Sequence, residues 1–287
     1  MEVVKNIGLA LGGGGAKGLA HIGVLNVLRE AGIPVGGIAG TSMGALVGGF
    51  YAATGDVALL EDLFRSVTGR DLVSSLTLLM RRDGALFTTQ RIREAIEGAL
   101  RGVTIESCAI PFRAVATDAE TGEMVILDSG DLLEAIRASI ALPVAFSPVR
   151  LGDRVLIDGG FVNPVPADVA RAMGASVVVA VDVSTQWVSM AGGFTKLRDA
   201  YTFLSAAHAV FEYQVARPIL KTADLVIRPR VLRHDWRDFD HADEIIRAGE
   251  DAAREELSRI RAAAHYPEPP RSALDRFLDL IAYPTRR

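Results

Sequence analysis

The sequence is poor in cysteine and has no surplus of positive charge. A single cysteine, Cys108, stands among 287 residues, and one thiol cannot close an internal disulfide. Residues 1–5 hold no basic segment leading into a long apolar core. Together these features give the expectation of a reduced, cytoplasmic setting, with the membrane touched only peripherally. Lys and Arg number 31 against 35 Asp and Glu, for a net charge of −4, so the basic footprint of broad nucleic-acid binding is missing. Histidine–acid spacing of the zinc type and the acidic pattern of a calcium loop are also missing, so neither metal nor cofactor is expected. There is no internal repeat and no linker. The economical division is one domain over residues 1–265 and an appendage over 266–287, where prolines interrupt the pattern. Disorder is excluded by 49% hydrophobic residues, and 28 glycines announce many tight turns.

Charge is absent altogether from residues 31–55, a length that nominally allows a membrane span. The run contains Pro34 and many glycines, however, and reads better as a buried strand, a turn and a buried helix. The turn is Gly40-Thr41-Ser42-Met43-Gly44. Glycines two residues either side of a serine allow a sharp passage from strand to helix that leaves the serine oxygen uncrowded. The helix N-terminus then favours negative charge at that oxygen. The bland alternative is a tight turn with a structural serine.

A second glycine cluster lies upstream. The apolar run 6–11 ends in Gly12, Gly13, Gly14, Gly15, Ala16, Lys17 and Gly18, and residues 19–30 have helical spacing. Such a loop offers backbone N–H groups to an anion. It also satisfies the dinucleotide fingerprint, but the ribose-binding acid expected near position 38 is missing. Residues 112–117 and 123–127 read as a hairpin, as do 147–150 and 155–157. The second hairpin leads into Asp158-Gly159-Gly160, a carboxylate at a strand end with no side chains beside it. Helices are expected over 131–139, 167–173, 195–220 and 243–264, and strands over 176–181 and 224–227. Residues 56–100 are mainly helical in pattern. Their apolar stretch 72–80 is either a core helix or a lid facing lipid.

Serine needs a base to remove its proton. Of five histidines only His21 falls near the glycine loop, and a Ser-His pair is one option. Asp158 is the other, provided that burial strengthens it as a base. Asp118 and Asp182 also follow β-like segments but lack paired glycines, and read as turn residues. Lys17 is either solvated or a point charge for phosphate.

Three blocks, Gly13 to Gly18, Gly40 to Gly44 and Asp158 to Gly160, together with the proline-containing loop 138–149, resemble the patatin-like phospholipase family in its compact bacterial form. The likeness spans roughly residues 5–260. It implies an α/β fold, a three-layer α/β/α sandwich with a central, mostly parallel sheet. It also implies Ser42 as nucleophile and Asp158 as base of a dyad, with Gly13, Gly14 and Gly15 as the oxyanion hole. Lys17, Gly18, Gly40, Gly44, Gly159 and Gly160 then support the motifs. The implied activity is acyl-ester hydrolysis of phospholipids, lysophospholipids or related lipids through an acyl-enzyme, with the lipid as partner and a transient membrane-surface contact. Two other readings remain: a nucleotide- or anion-binding regulatory protein without turnover, and a membrane-surface scaffold using residues 72–80.

Overall fold

The structure, a computed structural model, describes residues 5–66, 90–143, 146–185 and 200–267. Its centre is an eight-stranded sheet. Five strands form the parallel part, in the order β3 (Phe112–Asp118), β2 (Gly37–Thr41), β1 (Ile7–Leu11), β7 (Val177–Val181), β8 (Leu225–Ile227). The antiparallel remainder is β4 (Met124–Leu127) on β3, and the hairpin of β5 (Val149–Leu151) with β6 (Arg154–Asp158). Both predicted hairpins are therefore present.

The parallel strands are apolar on both faces because both faces are covered. In β1, Ile7, Leu9 and Leu11 enter one core, whereas Ala10 enters the other. β7 repeats the period, with Val177, Val179 and Val181 on the first side and Val178 and Ala180 on the second. The first core is closed by α1 (Ala20–Glu30), α2 (Met43–Thr54) and α8 (Ala242–Ala264). The second is closed by α6 (Ala167–Ala172) and the end of α7 (Ala200–Leu220). These are the three layers that the resemblance implies. α3 (Ala58–Arg65), α4 (Gln90–Leu100) and α5 (Leu132–Ser139) complete the helices among the described residues. α5 starts on Asp131, whose carboxylate accepts from Glu134 N at 2.9 Å. α1 and α8 approach backbone to backbone: a Cβ on Gly249 would run into the Ala20 carbonyl, and one on Gly23 into that of Ile246.

The charge-free run 31–55 folds as β2 followed by α2, and no helix among the described residues is long and apolar enough to cross a membrane. β2 begins later than its apolar pattern suggests, at Gly37, and takes Gly40 and Thr41 into the ladder, paired with Ala114 and Val115. The turn is thereby reduced to Ser42. The apolar stretch 72–80 and the tail 268–287 lie outside the described residues.

The packing of α2 rests on Gly40 and Gly44. A Cβ on Gly40 would stand 2.5 Å from the Gly44 carbonyl oxygen, and one on Gly44 would overlap the Leu11 carbonyl of β1. Gly44→Ala should therefore lower the unfolding free energy by about 3 kcal/mol, because backbone rather than a flexible side chain must move; urea denaturation followed by circular dichroism measures it.

Candidate active site

Ser42 is held in a conformation that few residues adopt. Its backbone has φ 54° and ψ −123°, while its neighbours belong to β2 and α2. Such a position costs about 1–3 kcal/mol and persists only where the surroundings over-determine it. Here they do. The Ser42 carbonyl accepts from Ala45 N and Leu46 N, and its N–H donates to Ser139 Oγ at 2.9 Å. Ser139, fully buried at the end of α5, donates in turn to the Val115 carbonyl at 2.6 Å. Thr41 Oγ1, one residue before, donates to the Asn163 carbonyl at 2.8 Å. The side chain of Ser42 stays half-buried.

Strand register brings Asp158 to this turn. Ala114 and Val115 of β3 pair with both β2 and β4, and Ala116 and Thr117 pair with both β4 and β6. β4 therefore occupies one edge of β3, and β2 and β6 share the other. β2 runs parallel to β3 and ends with Thr41 opposite Val115; β6 runs antiparallel and ends with Asp158 opposite Ala116. The two strands meet head to head, so Ser42 and Asp158 leave the sheet at the same point. Asp158 is 4% exposed. Its Oδ1 accepts from Gly160 N at 2.8 Å, and its carbonyl accepts from Thr117 Oγ1 at 2.8 Å. Gly159 passes so close to β3 that a Cβ would overlap the Val115 carbonyl.

The glycine loop forms the opposite wall. A Cβ on Gly13 would lie 3.2 Å from Ser42 Cβ, which puts the loop against the serine. The Gly13 N–H donates to the Pro164 carbonyl at 2.9 Å, and the Gly13 carbonyl accepts from Ser184 Oγ at 2.9 Å. Gly13 is thus fixed by its own hydrogen bonds, and its N–H is already committed to Pro164, unlike the three-donor expectation of Gly13, Gly14 and Gly15 together. Gly15 has φ 57° and abuts Trp236, whose carbonyl accepts from Ala16 N at 2.7 Å. Gly18 crosses closely over Met43 at the start of α2.

His21 is tied to the glycine loop. It is fully buried, and its Nε2 lies 2.7 Å from the Gly12 carbonyl, so the neutral ring donates there and braces the loop. Burial pushes its pKa down to about 4, with the Gly12 bond opposing. Lys17, near the end of the loop, is also lowered by burial, against the raising fields of Glu212, Asp235 and Asp182. Glu212 of α7 is 9% exposed, and burial pushes its carboxyl up to about 7 despite Lys17. The rival carboxylates hold turns. Asp118 accepts from Glu120 N and Asp182 from Thr185 N, each at 2.9 Å.

One cluster outside the expected site has the spacing of a metal-ligating set. His234, Asp238 and His241 place donor atoms within 4.8 Å of one another, in an irregular segment whose spacing is easily overlooked. Arg233 already sets a cationic group against it, donating to His234 Nε2 at 3.2 Å and to Glu244. Ser139, Thr117, Ser184 and Glu212 carry no sequence signal of their own, since each acts through a partner far away in the chain.

Two outcomes follow from this geometry. Ser139→Ala should cost about 1–3 kcal/mol in chemical denaturation, because it leaves the Ser42 N–H and the Val115 carbonyl short of a partner. His21 is neutral when folded but takes a proton near 6.5 when unfolded. Its contribution is therefore complete above pH 6.5 and falls as pH drops towards about 4, by up to about 3 kcal/mol. His21→Gln, which can still donate to Gly12, should flatten that part of the stability–pH curve.

A family model described as patatin-like phospholipase matches residues 9–171, which include all three glycine motifs. An uncharacterised NTE family protein of Mycobacterium tuberculosis is 40% identical over 178 residues, covering 62% of this chain and 49% of that protein. The human patatin-like phospholipase domain-containing protein 6 is 35% identical over 187 residues, covering 63% of this chain and 14% of its own length. This chain thus spans about half of the mycobacterial relative and a small part of the human one. Among solved structures, VipD from Legionella pneumophila aligns with a TM-score of 0.48 at 15% identity, over 89% of this chain and 67% of that one. With a strand-to-helix serine, a buried Asp-Gly-Gly carboxylate and a glycine loop gathered at one point of a mostly parallel sheet, and a family match over more than half its length, the chain belongs to the patatin-like phospholipase family.

Proposed function

We propose that the protein is a serine acyl hydrolase that cleaves carboxylic ester bonds of phospholipids, lysophospholipids or related lipids with Ser42 and Asp158. The observation that carries this reading is the meeting of β2 and β6 on one edge of β3, which brings a strained, half-exposed serine and a buried carboxylate together. A buried carboxylate is a stronger base than a solvated one, because desolvation disfavours its charged form. Asp158 takes the Ser42 Oγ proton as Oγ attacks the ester carbonyl. The carbonyl oxygen, now negative, lies against the N–H groups of Gly14 and Gly15. As the tetrahedral intermediate collapses, Asp158 returns the proton to the departing alcohol, leaving an acyl-serine. Water, deprotonated by Asp158, attacks the acyl carbon. Ser42 leaves with that proton, and the free acid departs. Fixed donors at the developing oxyanion are the larger part of such catalysis, each worth about 2.7–4 kcal/mol.

No step needs a metal, so a chelator should leave the rate unchanged. The setting proposed is cytoplasmic with transient contact at a lipid surface. The competing reading, anion binding at the glycine loop without turnover, makes an opposite prediction. Exposure to a fluorophosphonate, followed by intact mass, should give one covalent adduct on the wild type and none on Ser42→Ala. Asp158→Asn should react at least about a thousandfold more slowly. His21→Ala should stay within about tenfold of wild type, a barrier change of roughly 1.4 kcal/mol. A folded wild-type protein that forms no adduct would sink the hydrolase reading in favour of the binding one.

A further inference from the structure

α7 turns a carboxylate into the protein. Glu212 and Ala216, one turn apart, are both buried, whereas Phe211 beside them is 43% exposed. An apolar side chain at a core-facing position would need no compensation, whereas a carboxylate there is costly unless something balances it. Two groups of the active site face it. A Cβ built on Gly160 would lie 3.1 Å from Asp158 Oδ1 and 3.3 Å from Glu212 Oε1, so the two carboxyl groups stand on the same side of that glycine. Lys17, on the glycine loop, feels Glu212 more strongly than any other carboxylate. The other charged groups acting here are Asp182, after β7, and Asp235, which acts on Lys17.

We propose that Glu212 is a positioning residue of this site, a buried carboxylate that α7 presents both to the Asp158 turn and to Lys17, joining the base to the glycine loop electrostatically. The inference rests on the Ser42–Asp158 reading given above. A negative neighbour makes it harder for Asp158 to remain ionised, and therefore makes it a better acceptor for the serine proton. The same charge, together with Asp235 and Asp182, opposes the burial that lowers Lys17, and so helps to hold the loop that carries Gly14 and Gly15. When Glu212 takes a proton, the effect on Asp158 ceases and the support of Lys17 weakens. The rate of serine activation then falls as pH drops through about 7, the value to which burial raises Glu212. His21 cannot cause such an inflection, since its own value is about 4.

The test is the rate of fluorophosphonate addition to Ser42 across the neutral pH range. The wild type should show an inflection near 7. Glu212→Gln, of equal size and no charge, should abolish the inflection and slow labelling by about tenfold or more on the alkaline side. Glu212→Asp should restore an inflection and part of the rate. Were Glu212 only a packing residue, Glu212→Gln would keep the wild-type profile, and that result overturns the proposal. If Glu212→Gln fails to fold, Lys17→Met decides. Without its positive neighbour Glu212 must titrate at higher pH, and an inflection that stays in place overturns the proposal. An unlabelled wild type would instead overturn the hydrolase reading, and this inference with it; a labelled wild type with an unaltered Glu212→Gln overturns this inference alone.

Discussion

Everything at the site depends on two strands sharing one edge of a third. β3 is long enough for β2 to pair with its first half and β6 with its second. Because one neighbour runs parallel and the other antiparallel, their ends face each other. This geometry gives the turn after β2 and the turn after β6 the same address, and the bond from Thr41 Oγ1 to the Asn163 carbonyl ties the two together. The price is crowding. Gly40, Gly44 and Gly159 lie where a Cβ would meet backbone of β1, α2 or β3, and Ser42 takes a positive φ. Strain in the turn and a lack of side chains around it are two sides of one constraint.

The hydrogen bonds around the turn share a pattern. Ser139, Thr41, Thr117 and Ser184 are hydroxyl residues, and each donates to a backbone carbonyl of the site or of the strand beneath it. None bears a charge, so each satisfies a carbonyl that irregular backbone would otherwise leave unpaired in the interior. His21 does the same for Gly12. The site is thus held largely by neutral donors.

Sequence reading reached the parts of this arrangement that glycine marks. The turns at Ser42 and Asp158 are legible because a sharp serine turn and a buried carboxylate turn both require the absence of neighbouring side chains, and that absence is written locally as G-x-S-x-G and D-G-G. The three layers were implied by the family resemblance, and the doubly apolar strands β1 and β7 agree with them. The boundary of β2 was less legible, since hydrogen bonding to Ala114 and Val115 carries the strand past Gly40, a residue of low strand propensity, to Thr41. Gly13 looked equivalent to Gly14 and Gly15, and only its bond to Pro164, some 150 positions away, sets it apart. Ser139 and Glu212 were invisible for the same reason. A buried serine or glutamate acquires its role from what lies across the fold, and helical spacing registers it merely as a polar residue in a helix.

The close approach of α1 and α8 bears on where this protein can be cut. The family match ends at residue 171, which invites the view that β7, β8 and α8 are dispensable. Yet β7 is hydrogen-bonded along the whole of β1, and Gly249 lets α8 lie directly on the backbone of Ala20, at the start of the helix that follows the glycine loop. A shortened protein ending near residue 171 would expose one edge of β1 and uncover the outer face of α1. The packed unit therefore extends through residue 264, well beyond the end of the family match.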